Sequence, residues 1–309
     1  MKHFWTLDDV YLENTWLTIG SFDGVHRGHQ KIARKLAAEA HAHNAPAVVL
    51  TFHPHPSIVL QGHSFPFYLS TPEERASLLG EQGIDVVITC SFDQRLASTP
   101  ARDFMETLNR HLDINHLRVG YDFALGKDRE GDIAMLRQLG REWGYTLQKT
   151  RAVVANGDII SSSRIRFLLG AGKVREASEL LGRDYSFSGE VVPGDHRGRG
   201  LGFPTANLNT WPYRAIPAAG VYVCRASIGE RSWGAVTNIG VRPTFEQEPV
   251  PPRVEAHLLD FDGNLYTQKI HLAFLSRLRG ERKFSGPEEL IEQIEKDVHQ
   301  ARRVLNLTA

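Results

Sequence analysis

Two histidines three residues apart give the first chemical lead. The stretch Ser21-Phe22-Asp23-Gly24-Val25-His26-Arg27-Gly28-His29 follows a short apolar run, Thr15 to Gly20. At a helical entry, His26 and His29 share one face. Gly20, Gly24 and Gly28 let the backbone turn sharply and approach a ligand closely. A helix start with free amides attracts anions, and two imidazoles there can donate hydrogen bonds as charge grows on a phosphate. That suits nucleotidyl transfer, where catalysis is mostly positioning and electrostatic stabilisation. A second stretch, Ile160-Ser161-Ser162-Ser163-Arg164-Ile165-Arg166, offers hydroxyls, amides and a guanidinium for the same phosphates. Taken alone it reads equally well as a helix cap.

The other half of the chain carries a different set. A glycine-rich loop with Gly194, Gly198, Gly200 and Gly202 leads into Phe203-Pro204-Thr205-Ala206-Asn207. Such a loop can wrap phosphates with backbone amides, although no Gly-Lys-Ser/Thr follows to make it a Walker loop. Thr205 and Asn207 alternate along an extended segment, so their oxygens face one side. A hydroxyl and an amide oxygen are hard ligands suited to Mg²⁺. Farther on, Val254-Glu255-Ala256-His257-Leu258 alternates as a strand and puts Glu255 and His257 on one face.

The elements that must position these residues follow from periodicity. Before residue 185, apolar runs at 15–20, 47–52, 85–90, 116–120 and 145–149 alternate with helical patterns at 28–43, 72–82, 100–111 and 132–143. This predicts a parallel sheet with helices on both faces and ligands at the carboxyl ends of the strands. Thr71 and Thr99, each before a proline, are read as helix caps. Arg164 to Leu181 reads as helix, broken near Gly170 and Gly172. After Tyr185 come short strands with glycine-rich turns, which suggest a small barrel. Gly229-Glu230 and Asp262-Gly263-Asn264 are read as hairpin signals. A last helix spans 287–305, with Ser285 and Glu288 expected as its capping box. The fold class is thus α/β plus β, divided at 1–184 and 185–309.

Composition narrows the classes. Lys+Arg and Asp+Glu are equal at 36 each, which argues against a dedicated nucleic-acid binder. Cys90 and Cys224 sit far apart in apolar runs and read as buried thiols. No signal-peptide pattern and no membrane-length apolar run is present, so a cytoplasmic protein without a membrane partner is expected.

The His26–His29 and serine motifs resemble those of the nucleotidyltransferase superfamily. Thr51-Phe52-His53-Pro54-His55-Pro56 and Val119-Gly120-Tyr121-Asp122-Phe123 narrow the likeness to bacterial bifunctional riboflavin kinase/FAD synthetases. Phe203 to Asn207 resembles the PTAN motif of riboflavin kinases, and Glu255-x-His257, Asn238-Ile239-Gly240 with Pro243-Thr244, and Arg279-x-Glu281-x-Lys283-Phe284 resemble further runs of that family. The likeness implies a nucleotidyltransferase-type Rossmann-like module followed by a kinase barrel. It implies ATP contacts at Gly20, Phe22, Asp23, Gly28, Ser162, Ser163, Arg166, Gly194, Gly198 and Gly200, with His26 and His29 catalytic. Asp122, Phe123, Arg279 and Phe284 would meet flavin, Thr205 and Asn207 would hold Mg²⁺, and Glu255 would be the base for the ribityl hydroxyl. The ligands implied are riboflavin, FMN, FAD and ATP. Three departures stand out: Leu125 where Phe is usual, Ser163 where Thr is common, and Thr267 where Gly is usual. His53 and His55 also fit a proline-ordered turn, and Asp122 a strand-end turn. Weighed against this reading are a single-function nucleotidyltransferase with a regulatory barrel, an RNA-binding protein, and a flavin-storing protein.

Overall fold

The computed structural model describes residues 1–62, 67–194, 202–240 and 252–307. Gly198, Gly200, Pro243 and Thr244 lie outside the described residues. By packing, the chain forms two units: Met1–Ser64 with Leu69–Ser162, and Phe65–Tyr68 with Ser163–Ala309.

The first unit holds strands β1 (Lys2–Phe4), β2 (Thr15–Ile19), β3 (Ala47–His53), β4 (Val86–Ser91), β5 (Ile114–Val119) and β6 (Thr146–Lys149), and a small hairpin of β7 (Val154–Ala155) and β8 (Asp158–Ile159). Its helices are α1 (Arg27–Ala42), α2 (Pro56–Gln61), α3 (Pro72–Gly80), α4 (Gln94–Ala97), α5 (Ala101–Leu112) and α6 (Ile133–Trp143). The sheet is parallel throughout in the order β1-β4-β3-β2-β5-β6. Every residue of β2 is buried. That is expected of a strand covered on both faces. Its side chains divide between two cores: Leu17 and Ile19 join one with Met105 and Leu136, while Trp16 joins another with Leu36 and Ala40 of α1.

Two of the expected helix caps differ in outcome. Thr71 closes a reciprocal capping box with Glu74. Thr99 does not cap α5: its hydroxyl donates to Arg95 O at 3.0 Å, and Pro100 is the cap residue. The Glu130 carboxylate instead accepts from the first amide of that helix, Ala101 N, at 2.8 Å. A carboxylate suits the positive end of a helix better than a hydroxyl already spent on the preceding turn.

The second unit holds α7 (Ser162–Gly170), α8 (Val174–Leu181), then β9 (Tyr185–Val192), β10 (Ala206–Thr210), β11 (Gly220–Ile228), β12 (Arg231–Gly240), β13 (Arg253–Leu258), β14 (Lys269–Arg279) and α9 (Pro287–Leu305). The strands close an antiparallel barrel in the order β10-β13-β12-β11-β14-β9. Gly229-Glu230 makes a two-residue hairpin, with Ile228 opposite Arg231. Asp262-Gly263-Asn264 does not make one, because β13 and β14 are not neighbours in the barrel. The capping box expected at Ser285 and Glu288 is absent as well: Gly286 is the cap residue, and Ser285 N and Oγ both donate to Glu289, at 2.9 and 2.8 Å. Periodicity changes at Tyr185, whereas packing changes at Ser163, so α7 and α8 lie on the barrel's side of the packing boundary.

Candidate functional sites

In the first unit, β2 ends at Ile19 and the chain turns through Phe22, Gly24 and Val25, all in the left-handed region at φ 48°, 77° and 39°. Such backbone persists only where its surroundings hold it. Asp23 does the holding. Its buried carboxylate accepts from Leu69 N and Ser70 N at 3.1 Å and from Ser70 Oγ at 3.3 Å, and Ser70 Oγ accepts from Gly24 N at 3.0 Å. Asp23 is therefore a framework residue of the turn.

His26 is the cap residue of α1. Its Nδ1 accepts from Gly28 N at 3.1 Å and His29 N at 3.4 Å. This corrects the picture of bare amides: the imidazole takes two of them. An accepting Nδ1 leaves the proton of the neutral ring on Nε2 as a donor. Gly28 is required here, because a Cβ would lie 2.9 Å from His26 Cε1. The two imidazoles stack with centroids 3.6 Å apart, and Phe22 lies 5.0 Å from His29. Burial holds the His29 pKa well below 6.5, helped by the nearby His26 and Arg75 charges, so the ring stays neutral at neutral pH.

A cavity of about 290 Å³ opens here. It gathers Gly20, Phe22, His26, Gly28, His29, Asp122, Phe123 and Ser162. The Ser162 hydroxyl donates to Asp23 O at 2.9 Å, so it fastens the turn. Ser163 and Arg166 fall by packing in the second unit, where Arg166 Nε donates to Phe67 O at 2.7 Å and the guanidinium lies 3.7 Å over the Phe67 ring. His55 caps α2 by accepting from Ser57 N at 3.1 Å, which fits the proline-ordered turn. Leu125 is buried in the core of the unit, so its difference from the usual Phe leaves the cavity wall to Phe123. Sequence reasoning missed Arg75, whose fully buried Nη1 donates to Ser21 O, Thr51 Oγ1 and Phe52 O at 2.7–3.0 Å. An arginine on the buried face of an amphipathic helix was the available signal.

In the barrel, register builds the site. Glu255 on β13 stands opposite Asn207 on β10 and opposite Asn238 on β12, a polar row across three strands. A cavity of about 340 Å³ brings together Thr205, Asn207, Glu255, Arg279 and Phe284. The spacing expected to place Thr205 and Asn207 on one side holds. His257 is structural: its Nδ1 sits 2.8 Å from Pro204 O, and a carbonyl can only accept, so the ring donates. That bond anchors the segment just before Thr205. Gly194 comes so close to Asn207 that any Cβ there would collide with the amide. These hard oxygens on one cavity wall fit Mg²⁺. A second cavity of about 550 Å³ is lined by Val191, Thr205, Ala206 and the Asn264–Tyr266 segment. Thr205 thus borders both cavities.

Asp297 on α9 was missed. It is 3% exposed and accepts from Arg279 Nε and Nη2 at 2.8–3.1 Å and from Gln293 at 2.9 Å. Arg279 in turn lies 5.7 Å over the Phe284 ring. A carboxylate between Ile294 and Val298, inside an apolar stripe, was the signal. Arg253 Nη1 also sits 3.3 Å from Glu255 Oε1.

Comparisons with known proteins match both halves of the chain. The family model described as FAD synthetase matches residues 9–164, and that described as riboflavin kinase matches 181–305. The chain is 37% identical to the bifunctional riboflavin kinase/FMN adenylyltransferase of Escherichia coli K12, covering 96% of this chain and 94% of that one. It is 39% identical to the Pseudomonas fluorescens protein of the same description over 92% and 91%, and 38% to that of Bacillus subtilis over 93% and 91%. A crystal structure described as a macrolide-efflux protein from Streptococcus pneumoniae superposes with a TM-score of 0.87 at 29% identity, over 97% and 98% of the two chains. In this chain no helix among the described residues is long and apolar enough to cross a membrane. The chain belongs to the family of bifunctional riboflavin kinase/FMN adenylyltransferases.

Proposed function

We propose that the barrel phosphorylates riboflavin to FMN and that the first unit transfers the adenylyl group of ATP to FMN, giving FAD and pyrophosphate. The observation that carries this reading is the separate convergence of two chemically different residue sets. His26 and His29 meet in one cavity. Glu255, Thr205 and Asn207 meet in another.

In the barrel, Glu255 accepts the proton of the ribityl terminal hydroxyl as its oxygen attacks the γ-phosphorus of ATP, and ADP leaves. Thr205 and Asn207 would hold Mg²⁺, which when bound would offset charge on the phosphate oxygens. Arg279, fixed by Asp297, and the Phe284 ring border the flavin. Gly194 approaches the ATP phosphates. In the first unit, the FMN phosphate attacks the α-phosphorus of ATP. The Nε2–H of His26 and the neutral His29 ring donate to the charge that develops there. Asp122 and Phe123 border the flavin, and Gly20, Phe22 and Gly28 border the nucleotide. We assign adenylyl transfer to residues 1–184 and the kinase to 185–309, and place the enzyme in the cytoplasm, where ATP is supplied.

The test is incubation of the full chain with riboflavin, ATP and MgCl₂, with flavins resolved by chromatography. FMN should appear first and FAD after it, both dependent on MgCl₂. Failure to form either flavin would overturn the reading.

A further inference from the structure

Helix α8 begins without a side-chain cap: its cap residue, Lys173, makes no such hydrogen bond. A cleft of about 330 Å³ lies against this first turn, on the barrel's outer side. Lys173, Arg175 and Arg277 line it, against a single carboxylate, Glu176, which pairs with Lys173 at 3.2 Å. The positive end of the helix adds to this excess. Arg277 is held in place. Its Nη2 donates to Ala219 O at 2.6 Å, and it lies over Gly172, where a Cβ would sit 2.7 Å from Nη1. Gly172 is left-handed at φ 74° and leaves that space open.

A second, independent observation lies on β14. The β11–β14 ladder slips in register between Val223 and Cys224, so that Cys224 pairs with Phe274 and Val223 with Ser276. Ser276 is 5% exposed and lines the cleft, yet its hydroxyl has no hydrogen-bond partner among the described residues. A buried hydroxyl left unpaired is costly. An anion seated in the cleft would accept from it.

We propose that this cleft is an anion site for a phosphoryl group, separate from the cavities at His29 and Glu255. Three cations, an uncapped helix start and an unpaired hydroxyl can all donate to an anion, and a phosphoryl group has oxygens enough to meet them together. The cleft also touches α9 through Gln300 and Val304, and α9 carries Asp297 into the Glu255 cavity.

The experiment is equilibrium dialysis of the full chain with labelled pyrophosphate, comparing wild type, the double variant Lys173→Gln/Arg175→Gln, and Ser276→Ala. The wild type should bind one more pyrophosphate per chain than the double variant, and Ser276→Ala should weaken that site roughly tenfold. Both double-variant positions are exposed, so that variant decides the matter if Ser276→Ala does not fold. A parallel arm with ADP separates the sources: loss of one ADP site as well marks a nucleotide-borne phosphoryl group, and loss of pyrophosphate alone marks an inorganic one. Equal stoichiometry and affinity in all three proteins would overturn the proposal. Because the readout is binding, a chain that made neither FMN nor FAD could still pass this test.

Discussion

On the proposed reading, the two cavities solve the same problem, stabilising phosphate chemistry, with opposite means. In the first unit the two imidazoles come from one short stretch, residues 20–29, and a carboxylate within it, Asp23, holds that stretch against the distant Leu69 and Ser70. In the barrel they come from separate strands, and register alone sets Asn207, Glu255 and Asn238 side by side. The first site uses neutral donors at a helix start. The second uses a carboxylate beside hard oxygen ligands. The difference teaches that removal of a group should cripple one reaction and spare the other.

The largest expected effect is Glu255→Gln. Loss of a general base should lower riboflavin phosphorylation about 10²–10⁴-fold and leave adenylylation of supplied FMN within a few-fold of wild type. Initial rates with each flavin check this. His29→Ala comes next: removal of one preorganised donor should slow FAD formation about 10²–10³-fold while FMN accumulates. Unchanged FAD output in that variant would remove His29 from the site. Asn207→Ala and Thr205→Ala should raise the MgCl₂ concentration needed for half-maximal kinase rate and leave that of the adenylylation step alone.

Two smaller effects sharpen the contrast in the scaffolds. Burial, with the Arg118 charge as a second cause, pushes the His116 pKa down to about 4 from 6.5, in the sheet of the first unit. The folded state therefore binds that proton less readily than the unfolded chain. Its contribution to stability is present above pH 6.5 and is lost as pH falls toward 4. His116→Gln should flatten the pH dependence of urea unfolding in that window; an unchanged slope would show that other groups set it. In the barrel, Thr267 takes φ 65°, where a branched side chain is strained and where glycine is usual in the resemblance. Thr267→Gly should stabilise the protein by about 1 kcal/mol, read from the unfolding midpoint.

Legibility followed sequence distance. That His26, Gly28 and His29 share one cavity, and Thr205 and Asn207 another, was readable because such placement depends on neighbours one to three residues away. The anchoring role of Asp23 was not legible because the amides it holds come 46 and 47 residues later, and a motif does not show which way a carboxylate turns. The pairing of Arg166 was not legible for the same reason: Phe67, which accepts from it, is 99 residues away. Asp297 was passed over because its meaning depends on Arg279, which reaches it from another element. Both fold classes were readable from the change of period, whereas β1, a three-residue strand that exists only by pairing with β4, was not. The hairpin expected at Asp262-Gly263-Asn264 failed because turn chemistry is local and barrel order is not.

The central claim is that two independent sites in one chain act in sequence, and a mixing experiment tests it most directly. Full-length Glu255→Gln and full-length His29→Ala are each incubated with riboflavin, ATP and MgCl₂, alone and then together. Alone, the first should leave riboflavin unconverted and the second should stop at FMN. Together they should restore FAD, because FMN made by one protein is adenylylated by the other. If either substitution abolished both reactions, or the mixture made no FAD while each variant kept its remaining activity, the two-site account would be contradicted.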